Sequence, residues 1–354
     1  MNNSLLFTIL REALWRIDEH VPIELSENET ERLFALADVQ AVSGLVADAL
    51  IRNDVRMPQQ WVFETVGLLE QIKQQNSIIN EGAVKLHRLM SEAGIGYAIV
   101  KGQVVASYYP DPLLRQSGDI DYYCNAKNFP LSQNTIKRNW EIEPEREKSE
   151  LHVHFDYQEV IYEGHFSLVN LYGKKRNKYW QQLLDSDGGA TVDIEGKPIK
   201  TLSPTLHTLY VFIHLYAHLL ALGVGLRQFC DLAVLLHYCK EQIDIDAFRK
   251  YLASLGLEQA YKACGSILVD YLGLPMEDLG YSLSDEDRKY GQKIMHVVMY
   301  RGNMGHFNKH SGFSGWKHKV EALGIKLSHF MKFMPLAPGY SRGWMWHEIT
   351  RQVN

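Results

Sequence analysis

The chain has 354 residues, enough for two or three cores of ordinary size. With 46% hydrophobic and 22% charged residues it has a globular composition, which excludes a disordered or fibrous chain. A net charge of −5 and a pI near 6.3 give no general pull toward nucleic acid and leave only a local basic patch for it. The four cysteines (Cys124, Cys230, Cys239, Cys264) lie far apart and form no C-x-x-C, so neither a disulfide framework nor a zinc site is expected. The apolar run at 5–10 is short and meets Arg11 and Glu12 at once, unlike a secretory signal. A cytoplasmic location is therefore expected.

Residues 1–93 are predicted to be a helical N-terminal region. Leu5, Ile9, Ala13, Leu14 and Ile17 recur at helical spacing, as do Leu33, Leu36 and Val39. Ser26 followed by Glu27 and Glu29 reads as an N-cap with acids in the first turn. Pro58 can open a long helix carried by Leu68, Leu69, Ile72, Ile78, Ile79, Leu86 and Leu89 to Ala93, with Gly94 placed to end it. This region reads as a scaffold packed against a core domain.

That core is predicted at 94–202. Residues 97–100 form a short apolar run, a buried strand ended by Lys101-Gly102. Two helical turns fit 103–109, and Pro110 and Pro112 break them. Gly118 leads into Asp119-Ile120-Asp121-Tyr122-Tyr123, a second strand on which Asp119 and Asp121 share a face. Two carboxylates so placed repel each other, and a divalent cation with a taste for oxygen, Mg²⁺ above all, relieves that. A helix start offers free N–H groups to phosphate, glycine lets phosphate come close, and arginine forks onto phosphate oxygens. Lys101, Gly102 and Arg115 are thus candidate phosphate ligands, and Asp119 and Asp121 candidate metal ligands.

Lys101-Gly102, Tyr109-Pro110, Arg115 and Gly118-Asp119-Ile120-Asp121 resemble the K-G…Y-P…R…G-D-I-D signature of an uncharacterised bacterial nucleotidyltransferase family within the DNA polymerase β-like superfamily. The resemblance implies an α+β fold, with a small mixed-sheet nucleotidyltransferase core between helical N-terminal and C-terminal segments. It implies transfer of a nucleoside monophosphate from an NTP to an acceptor, with Mg²⁺ (or Mn²⁺) on Asp119 and Asp121 and release of pyrophosphate. Gln103 stands where many members of the superfamily have serine or a second glycine, so a serine–phosphate contact is missing. Gln103 and Ser117 are still counted among the nucleotide-side residues. Toxin-like nucleotidyltransferases that modify RNA or protein resemble a related arrangement. A degenerate member that binds nucleotide or a partner without turnover is a third reading.

Beyond Cys124 a helix is expected near 130–138, a charged loop at 141–150, and strands at 151–160 and 161–171, with Gly164 a weak point in the second. Glu163 and His165 would share a face. Glu163-Gly164-His165-Phe166 resembles an E-x-H-aromatic segment of the family, which makes Glu163 the candidate third acid and general base, with Asp156 and Asp193 as rivals. His152 and His154 are either site residues or surface strand histidines. A hairpin turning at Glu195-Gly196 fits 191–202.

Residues 203–354 are predicted to be a C-terminal helical domain. Ser203-Pro204 is an N-cap followed by proline at the first helical position. No Asp, Glu, Lys or Arg occurs from 201 to 226, yet three histidines and two tyrosines there argue against a membrane span and for a buried helix. His214 and His218 lie one turn apart, with His207 near the same stripe. They could bind metal, line the nucleotide pocket, or simply pack. Arg227 and Asp231, at i,i+4, are expected to pair on the surface, with phosphate as the alternative for Arg227. Helices are expected at 248–255 and 259–272. The tail from 301 mixes Lys and Arg with Phe307, Phe313, Trp316, Phe330, Phe333, Trp344 and Trp346. Packing of these aromatics on the body is expected, and an open groove would favour an RNA acceptor over a small molecule or protein. The acceptor, the base preference and the oligomeric state are not legible.

Overall fold

The computed structural model describes residues 4–17, 21–145, 152–221, 223–303 and 316–353. Four helices come first: α1 (Ser4–Trp15), α2 (Glu27–Val39), α3 (Ser43–Arg52) and α4 (Gln59–Glu92). Glu29 reaches back to accept the Ser26 N–H at 3.0 Å, which satisfies an N–H that the helix α2 leaves free. The long helix α4 starts after Pro58 and stops two residues short of Gly94, as its apolar spacing predicted.

The core follows as β1 (Ala98–Val100), α5 (Gly102–Ala106), β2 (Asp119–Tyr123), α6 (Asn128–Trp140), β3 (His152–Tyr157), β4 (Val160–His165), α7 (Lys174–Ser186), β5 (Ala190–Ile194) and β6 (Lys197–Thr201). The first four strands form a mixed sheet in the order β1-β2-β4-β3, and β5 and β6 form a separate hairpin. Only β2 and β4 run parallel, with Asp121 opposite Glu163 and Tyr123 opposite His165. One face of this sheet carries Ile120, Tyr122, Phe155 and Tyr162, which pack on Ile79, Ala83, Leu86 and Met90 of α4. The acids lie on the other face, because side chains alternate.

The helices α8 (Pro204–Leu220), α9 (Leu226–Tyr238), α10 (Ile245–Leu255), α11 (Glu258–Asp270), α12 (Met276–Leu279), α13 (Asp285–Arg301), α14 (Trp316–Phe333) and α15 (Pro338–Val353) complete the chain. They share one apolar core with α1–α3 and with Val100 and Tyr123 of the acidic face. Trp15 Nε1 donates to the Leu272 carbonyl at 2.6 Å, and Gln40 Nε2 to that of Val298 at 3.0 Å, so the first helices are tied to the last. The fold is α+β, with a small mixed sheet set between helical segments.

Four local readings need correction. The turn between β3 and β4 falls at Gln158-Glu159, both left-handed at φ +49° and +65°, so Val160 opens the second strand. No glycine or asparagine marks it. The second strand ends at His165 rather than running to 171. Helix α7 was not anticipated; Trp180 and Leu184, its buried pair one turn apart, were the signal for it. Gly164, the presumed weak point, is a packing requirement, since a Cβ there would lie 2.4 Å from the Tyr122 hydroxyl.

Of the aromatic tail, Phe333 and Trp344 are buried, Phe330 is half-buried and Trp346 is exposed. Phe307, Phe313 and residues 146–151 lie outside the described residues, as does the Trp316 side chain. Among the described residues no helix is long and apolar enough to cross a membrane.

Candidate active site

At the end of β1 the backbone turns through two left-handed residues, Lys101 (φ +55°) and Gly102 (φ +35°), directly into α5. Such a conformation costs a lysine about 1–3 kcal/mol, so the surroundings must hold it. Two contacts do. The Lys101 N–H donates to Nε2 of His207 on α8 at 3.0 Å, and Lys101 Nζ pairs with Asp121 Oδ1 at 2.8 Å. Burial keeps His207 neutral, lowering its pKa to about 4, so its Nε2 is a dependable acceptor. Lys101, Gly102 and Val105 line a cavity of about 430 Å³.

The sheet supplies one wall of that cavity. Asp119 and Asp121 project from β2, and Glu163 projects from β4 beside Asp121. His165 follows two residues later on the same face, and its Nε2 lies 2.8 Å from Asp121 Oδ1 and 3.7 Å from Glu163 Oε2. Asp121, Glu163 and His165 each bring one donor atom within 4.8 Å of the others. Burial alone would raise the Asp121 carboxyl, but the Lys101 ammonium and His165 outweigh it and hold the group well below the usual carboxylate range. Burial, with the Asp121 charge next to it, pushes Asp119 up. Two neighbouring acids pushed apart in this way, in a cavity, are the pattern of a candidate functional site.

The helices supply the other wall: Val211, His214 and His218 from α8, and Arg227, Gln228 and Asp231 from α9. His214 and His218 touch through their Nε2 atoms at 3.0 Å, and burial, with Lys101 nearby, keeps both neutral. The expected surface pair of Arg227 with Asp231 is overturned. Asp231 is 5% exposed and accepts Arg115 Nε at 2.7 Å, Arg115 Nη2 at 2.8 Å and the Tyr109 hydroxyl at 2.7 Å. Arg227 instead donates Nη1 to the Gln116 carbonyl at 2.6 Å, and its buried Nε has no hydrogen-bond partner.

The expected nucleotide-side residues separate accordingly. Lys101, Gly102, Arg115, Ser117, His214 and His218 all line the cavity. Arg115, however, is held by protein partners: Nη1 donates to Ser117 Oγ at 2.7 Å while Nε and Nη2 bind Asp231, so each of its nitrogens already makes one contact. Nearby Asp111 accepts the Leu113 N–H and pairs with Lys73. Gln103 requires correction too. Its side chain is buried against α4, donating to Asn80 Oδ1 at 2.5 Å, and does not reach the cavity. Of the rival third acids, Asp156 is exposed beside Ile161 near the hairpin turn, and Asp193 is exposed on β5, where it accepts the Gly196 N–H. His154 lies on the strand next to Glu163, and His152 lies against His165 with ring centroids 5.1 Å apart. His165, which E-x-H spacing put on the face of Glu163, was given no role of its own; His207 was read only with the His214–His218 stripe, and Asp231 only as a partner of Arg227, so the Lys101 N–H and Arg115 contacts they make had no local signal.

Residues 26–273 match the model of a protein family described as uncharacterised nucleotidyltransferase. The match spans most of the chain, and the chain belongs to that family. The crystal structure of an antigenic nucleotidyltransferase-like protein from Paracoccidioides brasiliensis is similar at 15% identity, over 56% of this chain and 92% of that one, with a TM-score of 0.35. A likeness that loose carries no argument. No curated protein matches the chain.

Proposed function

We propose that the protein transfers a nucleoside monophosphate from an NTP to an acceptor and releases pyrophosphate. One observation carries the reading: Asp121 and Glu163 stand side by side on parallel strands, with Asp119 on the same face, and open into the cavity that the Lys101-Gly102 turn and the start of α5 also face. Asp119, Asp121 and Glu163 would hold Mg²⁺ or Mn²⁺, and their oxygen donors fit such a cation. A bound cation of this kind neutralises triphosphate charge and makes an acceptor hydroxyl more acidic. The N–H groups at the start of α5 bind phosphate, and Gly102 lets it approach. Arg227, with an unpartnered Nε in the cavity wall, is the cation that contacts the triphosphate. The acceptor oxygen attacks the α-phosphorus, Glu163 takes its proton, and the bond from the α-phosphorus to the bridging oxygen of pyrophosphate breaks.

The test is incubation with each NTP, labelled at the α-phosphate, with Mg²⁺ or Mn²⁺, alone and with cell extract. Label passing to an acceptor, and lost with Asp121→Asn, is the expected result. Tight NTP binding with no transfer under any of these conditions would instead favour a nucleotide-binding protein without turnover.

A further inference from the structure

We infer that this site takes a first-row transition-metal dication in preference to Mg²⁺, with the imidazole of His165 supplying a nitrogen ligand. The inference rests on the metal-dependent reading above and goes further by naming the class of metal. Mg²⁺ asks for oxygen donors at short, octahedral distances and holds its water firmly, whereas imidazole suits transition metals. The described cluster is not all oxygen: one of its three donor atoms is a His165 nitrogen. His165 is 6% exposed and is held on the cavity side of β4 by strand alternation, so it is not a surface histidine that happens to pass by. Its Nε2 already points between the two carboxylates, at 2.8 Å from Asp121 Oδ1 and 3.7 Å from Glu163 Oε2.

Nε2 is the ring nitrogen that faces Asp121, and with the ring proton on Nδ1 it offers a lone pair to a cation in the same space. Lys101 Nζ meets the same Asp121 oxygen and supplies the positive charge that the carboxylate needs in the metal-free protein. A cation that gains a nitrogen ligand competes with that ammonium better than one that does not. His214 and His218 lie across the same cavity, which gives a natural control for the source of any nitrogen.

The experiment uses the full chain and the metal ions alone. Binding of Mg²⁺, Mn²⁺ and Co²⁺ is measured by calorimetry, and the Mn²⁺-loaded protein is examined by pulsed electron paramagnetic resonance for coupling to ¹⁴N. Mn²⁺ is the demanding case, since it stands lowest in the transition series. The expected result is Mn²⁺ binding at least about tenfold tighter than Mg²⁺, Co²⁺ tighter still, and a ¹⁴N coupling. His165→Asn should remove the coupling and most of the preference, while the double variant His214→Asn, His218→Asn keeps both. Absence of ¹⁴N coupling in the parent, Mg²⁺ binding within about threefold of Mn²⁺, or coupling lost only with His214 and His218 would overturn the inference. If His165→Asn does not fold, the parent spectrum and the affinity order still decide. Failure here is distinct from failure of the transferase reading: transfer with equal use of Mg²⁺ sinks only the metal preference, and nitrogen-ligated metal without transfer sinks only the reaction.

Discussion

The two walls of the cavity are built in different ways. On the sheet wall, neighbours in space are neighbours in pattern: Asp119 and Asp121 share a strand face, and Glu163 and His165 share the next one. On the helical wall, the partners come from far apart: Arg115 meets Asp231 across 116 residues of chain, and the Lys101 backbone meets His207 across 106. The sheet wall gathers three carboxylates, of which Asp121 is met by Lys101 and His165. The helical wall neutralises its own acid and keeps Arg227 Nε unsatisfied. On the proposed reading, charge on the first wall serves the chemistry, and most of the charge on the second serves the fold.

Breaking the sheet wall should give the largest effect. Asp121→Asn removes the carboxylate that both Lys101 and His165 contact. Transfer should fall by on the order of a thousandfold, the scale for losing one electrostatic element of a transition-state site. Divalent metal binding should fall with it in calorimetry. A variant that retains metal affinity would show that the two walls do not divide the work in this way.

The converse variant tests the helical wall. Asp231→Asn leaves the Arg115 guanidinium buried without its acid, which costs about 3–5 kcal/mol when one partner of such a pair is removed. The melting temperature should drop sharply, and Arg115→Ala should do much the same by stranding Asp231. NTP affinity per folded molecule should change far less. An Arg115→Ala protein that melts like the parent but no longer binds NTP would return Arg115 to the phosphates.

This division also explains what could be read in the sequence. Strand alternation puts Asp119 with Asp121, and a glutamate two residues before a histidine puts Glu163 with His165, because a period of two needs no knowledge of the fold. The hairpin at Glu195-Gly196 was legible for the same local reason, with both residues left-handed. The Gln158-Glu159 turn uses the same conformation without the residue types that announce it. Arg227 and Asp231 show the limit of helical spacing. Four residues apart, they match the rule for a surface pair, yet the helix is buried and a longer-range partner takes the acid. Gln103 was placed by its neighbour Gly102, but packing of α5 on α4 turned it to Asn80.

A pH titration sharpens the comparison further, because the helical wall holds neutral histidines. His207 has a folded pKa of about 4 against an ordinary 6.5, as a result of burial. Above 6.5 the folded and unfolded chains both carry it neutral, so it adds no pH dependence. Between 6.5 and about 4 only the unfolded chain takes up the proton, and stability falls as the pH falls, by up to roughly 3 kcal/mol. The urea midpoint should therefore be level near neutrality and drop through this window. His207→Gln, which can still offer an acceptor to the Lys101 N–H, should flatten part of the slope. The remainder is shared by the other histidines that shift in the same direction, His214, His218 and His329 foremost. An unchanged slope in His207→Gln would mean that the ring takes up its proton without disturbing the turn.

The smallest effect is expected where the helical wall departs from its own rule. Arg227 is buried, donates Nη1 to the Gln116 carbonyl, and has Asp231 within its field, but that acid is already bound to Arg115. Burial and the nearby Arg115 charge lower the Arg227 pKa, so the group sits in the cavity wall at a cost that no described acid offsets through a direct ion pair. An anion brought into the cavity would repay that cost, and a triphosphate is the anion proposed. Arg227→Ala should therefore lose about 1.5–3 kcal/mol of NTP binding, or roughly tenfold or more in Kd. Stability should change little or rise, because removing a poorly compensated buried charge takes away a penalty as well as one hydrogen bond. Melting temperature and NTP affinity measured on the same preparation separate the roles. A marked fall in melting temperature with unchanged affinity would make Arg227 a strut for the Gln116 segment and leave phosphate binding to the α5 N–H groups and Lys101.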